Sequence, residues 1–222
     1  MMACMLLLPV VAVITSAGGT SIGDAVAKGF ARAGCSRIAI TGIKSKTLDQ
    51  TRDAILKIDP SAQVFIKTGD IADEKFVDNF NDETFSKFSR FSRLDYAMTA
   101  DAFDQLNNVK YKESWLNCRA QIRNMGSIVN ITSQLGIIAA YCASKAAIIN
   151  MTRCNAIDYS PDNIRINCVC PGVVETPMTT SSKGMKEAMK PAIEIAPMKR
   201  MGTPEDISDA IHSFCSAQFS FI

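Results

Sequence analysis

Six short apolar runs punctuate the chain, at Val10–Ile14, Arg37–Thr41, Gln63–Thr68, Leu94–Thr99, Ser127–Thr132 and Arg165–Cys170. Between them apolar residues recur at helical spacing, which predicts helices near Ile22–Ala33, Leu48–Lys57, Glu74–Phe91, Phe103–Met125 and Tyr141–Tyr159. Runs this short and continuously apolar suit strands covered on both faces. Strands that alternate with amphipathic helices build βαβ units, so the pattern predicts an α/β fold with a doubly wound parallel sheet. Beyond Cys170 the chain turns at Pro171 and Gly172, runs polar to Lys190, and forms a last helix from Pro204 to Ser216. Pro204 suits a first helical position because it needs no amide partner there, and Glu205 and Asp206 suit the positive end of the dipole.

Neither a linker nor a composition shift divides the 222 residues, so one domain spanning 1–222 is expected, large enough for a full α/β core. Lys and Arg are spread along the whole chain, which argues against a nucleic-acid partner. The opening MMACMLLLPVVAVI has no basic start and is too short to span a bilayer. It reads as an irregular start running into a buried strand, with no membrane partner. Cys168 and Cys170 share one face of a strand, while the sole histidine, His212, lies far off in a helical segment. That spacing does not fit zinc, so the expectation is no metal site, and free thiols in a reducing cytoplasm.

Chemistry enters at the first strand-to-helix turn. ITSAGGTSIG places Gly18, Gly19 and Gly23 where glycines let the backbone approach a pyrophosphate and a helix start offers amides. A tight turn with no ligand is the alternative reading. An acid about twenty residues further on would hold ribose hydroxyls, but Gly42 stands there, followed by Lys44 and Lys46. Either lysine would pair with a 2′-phosphate and favour NADP(H) over NAD(H) by about ten- to a hundredfold. Otherwise both are solvated loop residues. Asp70 either accepts from an adenine amino group, with Ile71 packed beside the ring, or caps the next helix.

A second group of residues lies in the carboxyl half. Tyr141 and Lys145 are four positions apart in AYCASKAA and share one side of a helix start. A phenol must shift its pKa by about three units to act as an acid or base near neutrality, and an ammonium about 5 Å away supplies around 3 kcal/mol of that. Ser133, closing SIVNITS, would bond a substrate carbonyl as its polarity develops. In CPGVVETPM, Pro171 and Gly172 turn the chain, leaving the Val174 backbone and the Thr176 hydroxyl to hold a carboxamide; a plain turn is the alternative.

The glycine turn, GD after the third strand, NITS, YCASK and PG occur in one order on the expected elements. In this the chain resembles the short-chain dehydrogenase/reductase family over roughly residues 10–214, and INMTRC, DYSPDNIRINCVCPG and APMKRMGTPEDI resemble fungal NAD(P)-dependent reductases of secondary metabolism. The resemblance implies a Rossmann fold, an oxidoreductase moving hydride between NADP(H) and a carbonyl or secondary alcohol of a small substrate, and a possible homo-oligomer. It assigns catalysis to Ser133, Tyr141 and Lys145. It assigns the coenzyme to Ser16, Gly18, Ile22, Gly23, Lys44, Asp70, Ile71, Tyr141, Lys145, Pro171, Gly172, Val174 and Thr176.

Departures from the family pattern accompany it. Ser16 and Ser21 stand for glycines in a turn one residue longer, TADA (99–102) stands for Asn-Asn-Ala-Gly, and Lys110 stands for the catalytic asparagine. The Ser133–Tyr141 loop is short, and FSFI (219–222) lacks the family's closing strand, which would leave the sixth strand as an apolar sheet edge. These departures set a catalytically impaired or non-redox binding protein as the alternative function, with an isomerase or lyase behind it.

Overall fold

The computed structural model describes residues 11–88, 94–99, 118, 125–133 and 139–222. Strands β1 (Val11–Ile14), β2 (Arg37–Gly42), β3 (Gln63–Thr68), β4 (Leu94–Thr99), β5 (Met125–Ile131) and β6 (Arg165–Val169) form one sheet, ordered β3-β2-β1-β4-β5-β6. Every pairing is parallel. The chain builds outward from β1 in one direction and then, from β4, in the other. Such a reversal leaves a crevice at the carboxyl ends of the central strands.

Helices α1 (Ile22–Arg32), α2 (Ser45–Ile58), α3 (Glu74–Phe88), α4 (Ala139–Tyr159), α5 (Pro177–Thr180), α6 (Lys183–Ile195) and α7 (Pro204–Cys215), with short 3-10 helices at Ser160–Asp162 and Ala217–Phe219, complete the described elements. Successive strand residues point to opposite faces, so alternate positions feed two cores. Ala12, Ile14, Ile38 and Ile40 pack with Val26 and Phe30 of α1, Leu48 of α2 and Ile211 of α7. Val11, Val13, Ala39 and Ile166 pack with Phe80 of α3 and Ile148 and Met151 of α4. Burial on both faces is why these strands read as unbroken apolar runs.

Close packing of α1 on α7 fixes the helix that starts at the glycine turn. A Cβ at Gly29 would overlap the His212 ring, so only glycine lets the helices approach this far. His212 stacks edge-on to Phe30 at 4.5 Å between centroids, and its Nε2 lies 3.3 Å from the Val26 carbonyl. Burial lowers the His212 pKa.

Two differences from the sequence pattern stand out. The polar stretch to Lys190 contains α6: the Ser182 hydroxyl caps it by accepting from the Met185 amide at 3.1 Å, and Met189 is buried. Met185, Met189 and Ile193, spaced by four, give it one inward face despite its charges. Met125 opens β5 rather than closing a helix; the rest of the expected Phe103–Met125 helix lies outside the described residues, apart from Cys118, which is helical and buried. As the sequence pattern implies, β6 stands at the sheet edge with β5 as its one strand neighbour among the described residues, and its polar side chains meet the last residues of the chain. Arg165 Nη1 donates to the carbonyls of Phe214 (2.8 Å) and Ile222 (2.9 Å), and Asn167 Nδ2 donates to that of Ile222 at 3.0 Å.

Candidate active site

The glycine turn joins β1 to α1. Ser16 sits at φ 51°, a left-handed angle that costs a non-glycine residue about 1–2 kcal/mol. A serine in place of glycine is therefore not neutral here. Ser21 offsets that strain: its hydroxyl donates to the Ser16 carbonyl at 2.9 Å and caps α1 by accepting from the Asp24 amide at 3.2 Å. Gly23 is required by its surroundings, because a Cβ would lie 2.6 Å from the Ser16 carbonyl oxygen and 2.8 Å from that of Thr15. A Cβ on Gly18 would strike the Thr47 hydroxyl, whereas Gly19, at φ 78°, faces open space. Ile22 and Gly23 open α1, and their amides have no intrahelical acceptor. An open side over Gly19 and a helix start with two spare amides fit an anionic group such as a pyrophosphate.

At the start of α2, Lys44 occupies the N-cap without a side-chain bond to the helix, and the first turn holds no acid. Lys44, Ser45 and Lys46 are all exposed. A basic, uncapped helix start is suited to a further phosphate. Asp70 is exposed and accepts from the Ala72 amide at 2.9 Å, while Asp73 accepts from the Lys75 amide at 3.0 Å where α3 begins. The helix cap is thus Asp73, not Asp70. Ile71 is buried with Val77 and Phe76, so its side chain is spent in the fold rather than open beside a ring.

Ser133 follows β5, and Tyr141 and Lys145 lie in the first turns of α4, at the carboxyl ends of the strands. The structure brings all three together. Ser133 hydrogen-bonds the Tyr141 side chain, and Lys145 Nζ lies 5.6 Å from the centroid of the Tyr141 ring. Lys145 is 2% exposed, its Nζ is 3.5 Å from the Ile131 carbonyl, and burial brings its pKa down to about 8. Burial raises the Tyr141 pKa, and the Ser133 bond only partly opposes it. The sequence expectation, a lysine charge lowering the phenol, is therefore overtaken by desolvation of both groups. Lys110 and Asp101 lie outside the described residues.

Two threonines and an asparagine that sequence reasoning passed over hold this half in place. Thr132 Oγ1 donates to the Lys145 carbonyl at 2.9 Å, and Asn130 Nδ2 donates to Thr152 Oγ1 at 3.0 Å. Both bonds pin α4 to β5. Their signal was polar residues inside an apolar strand, SIVNIT.

After β6, Pro171 is buried and Gly172 is exposed with open space where a side chain would stand. Val174 bridges to Gly202, and its carbonyl accepts from Thr179 Oγ1 at 2.6 Å. Thr176 heads α5 in a reciprocal capping box with Thr179. The expectation that the Val174 backbone and the Thr176 hydroxyl stand ready for a carboxamide is thus corrected: the Val174 carbonyl and Thr176 serve the short helix first. Among the described residues, no group of three or more His, Cys, Asp or Glu side chains is placed to hold a metal, and no helix is long and apolar enough to cross a membrane.

A family model described as enoyl-(acyl carrier protein) reductase matches residues 17–222. Levodione reductase of Leifsonia aquatica is 25% identical over 238 residues, covering 95% of this chain and 89% of that protein. An uncharacterised oxidoreductase of Bacillus subtilis is 31% identical over 238 residues, covering 95% and 86%. The short-chain dehydrogenase anuF of Penicillium roqueforti is 28% identical over 255 residues, covering 96% and 91%. Among solved structures, that of levodione reductase superposes with a TM-score of 0.86 at 23% identity, over 96% of this chain and 92% of that one. NAD+-bound xylitol dehydrogenase gives 0.82 at 23%, over 96% and 94%. L-sorbose reductase from Gluconobacter frateurii, complexed with NADPH and L-sorbose, gives 0.82 at 23%, over 99% and 94%. With a parallel sheet reversing at β1 and β4 and a family match over residues 17–222, the chain belongs to the short-chain dehydrogenase/reductases, nicotinamide-dependent oxidoreductases acting on alcohols and ketones.

Proposed function

We propose that the protein is an NADP(H)-dependent reductase of a small ketone, or in reverse a dehydrogenase of the secondary alcohol, with Ser133, Tyr141 and Lys145 as its catalytic residues. The observation that carries this reading is the Ser133–Tyr141 hydrogen bond with the Lys145 ammonium beside the same ring. When bound, the nicotinamide supplies or takes the hydride. Gly18, Ile22 and Gly23 hold the pyrophosphate on backbone amides, and Ser16 shapes that turn. Lys44, at the uncapped start of α2, meets the ribose 2′-phosphate, which is the ground for NADP(H) over NAD(H). Asp70 borders the adenine, and Pro171 and Gly172 border the nicotinamide.

In the reducing direction Tyr141 gives its proton to the carbonyl oxygen as hydride reaches the carbon. A phenol whose pKa burial raises is fully protonated at neutral pH, and so is ready as the donor. Ser133 orients that phenol, and when substrate is present its one hydroxyl proton turns to the carbonyl oxygen, where negative charge grows. Lys145 carries its charge below a pKa of about 8, stabilises the phenolate left behind, and holds the nicotinamide ribose. Tyr141 then regains its proton from solvent. Levodione and L-sorbose reductases are named for small carbonyl compounds, which supports a small ketone as the substrate.

Titrating the purified chain with NADPH and NADH, read by quenching of Trp115 and by nucleotide emission, tests the reading. Saturable binding, tighter for NADPH, is expected; no change with either nucleotide overturns it. A second reading, a binding protein without turnover, draws on the strained Ser16. Under it Ser16→Gly creates turnover that the native chain lacks.

A further inference from the structure

Directly below the glycine turn lies a carboxylate for which the coenzyme reading has no use. Asp24, in the first turn of α1, is 4% exposed. Its Oδ2 pairs with Lys28 Nζ at 2.6 Å, and its Oδ1 lies 2.8 Å from Thr51 Oγ1 of α2. Thr51 occupies the buried stripe of α2 with Leu48 and Ile55, a position where helical spacing calls for an apolar side chain. The same hydroxyl is 2.8 Å from the Ala17 carbonyl in the turn and 3.2 Å from the Thr47 carbonyl. One helical turn earlier, Thr47 fills the space that a side chain on Gly18 would take. Two threonines of α2 therefore press on successive residues of the turn.

We propose that Thr51 is a positioning residue for the coenzyme: through its hydroxyl, α2 braces the backbone that receives the pyrophosphate. The proposal rests on the nicotinamide reading given above. It ties together the two ends of the adenosine site, because the helix whose basic start faces the 2′-phosphate also fixes the pyrophosphate turn. Thr51 has one hydroxyl proton and several acceptors around it, so Ala17 and Asp24 compete for the same hydrogen. That competition gives the two side chains opposite roles. Thr51→Val leaves the Ala17 carbonyl without its donor and loosens the turn. Asp24→Asn supplies an amide that can donate to Thr51 Oγ1, which releases the threonine proton to Ala17 and removes a negative charge from beneath the phosphates.

The test measures NADPH affinity by calorimetry, turnover at saturating NADPH, and amide hydrogen exchange of residues 16–23 without nucleotide. Thr51→Val should weaken NADPH roughly three- to tenfold, the effect of one buried hydrogen bond, and speed exchange in the turn. Turnover at saturation should stay within about twofold of wild type. Thr51→Ser, which restores the hydroxyl, should return both affinity and exchange. Asp24→Asn should tighten NADPH, and it keeps the proposal testable if the valine variant fails to fold. Unchanged affinity and exchange in Thr51→Val, or weaker binding in Asp24→Asn, would overturn the brace while leaving the coenzyme reading intact. A wild-type chain that binds neither nucleotide would remove both, and in that case any effect of Thr51 on exchange is purely structural.

Discussion

The two halves of the site achieve order by different means. Around the glycine turn the sequence departs from its family, with Ser16 and Ser21 in place of glycines, yet the local geometry is rebuilt by short hydroxyls: Ser21 ties back to Ser16, and Thr51 reaches Ala17. Around α4 the structure brings together the expected trio of Ser133, Tyr141 and Lys145, yet their electrostatics are set by burial, which raises the pKa of Tyr141 and lowers that of Lys145. A motif with foreign residues can thus keep its shape. A motif with the right residues still takes its protonation states from its surroundings.

Variants should separate the halves. The largest effect is expected from Tyr141→Phe, which removes the donated proton and should lower turnover by about 10²–10⁴-fold with coenzyme affinity nearly unchanged, as steady-state kinetics and titration would show. Lys145→Met comes next and acts in two directions. Turnover should fall, while stability at pH 7 should rise by up to about 3 kcal/mol, because the variant no longer buries an ammonium. The sign follows from the pKa values: the folded protein holds Lys145 at about 8 against the ordinary 10.5 of an unfolded chain, so the unfolded chain binds more protons between them. Wild-type stability should therefore increase as pH rises from about 8 towards 10.5, and be lost as pH falls back through that window to 8. Denaturant titrations should find this slope absent in the variant.

On the other half, Gly23→Ala places a Cβ 2.6 Å from a backbone oxygen that cannot rotate away. It should cost about 1–3 kcal/mol of stability and weaken NADPH, with turnover at saturation retained. The smallest effect concerns His212, which burial keeps below the ordinary histidine value of 6.5. The unfolded chain then takes up the proton first, so stability falls as pH drops below about 6.5, and His212→Gln should flatten that acid limb in thermal melts.

Much of this architecture was legible in the sequence because double-sided burial writes strands as apolar runs. Five of the six strands keep to within one residue of their expected bounds, and β5 starts two residues early. Helix α6 was not legible, since its charges mask a narrow inward face of Met185, Met189 and Ile193. Tyr141, Lys145 and Ser133 stood out through the order of the motifs and the family resemblance, because neither a four-residue spacing nor a serine after a strand is distinctive alone. Their pKa directions did not, because desolvation depends on what covers them. Asp24 and Thr51 were missed for a similar reason: they are ordinary polar residues until α2 is laid against the turn. Only a threonine in the stripe Leu48, Thr51, Ile55 hinted at it.

Hydride transfer assisted by Tyr141 is the claim on which the rest depends. Its most direct measurement follows the near-ultraviolet absorbance of NADPH while wild-type and Tyr141→Phe proteins meet a panel of small ketones. Ketone-dependent loss of NADPH is expected with the wild type and almost none with the variant. Equal rates in the two proteins, or no consumption with any ketone by a wild type that binds NADPH, would contradict it.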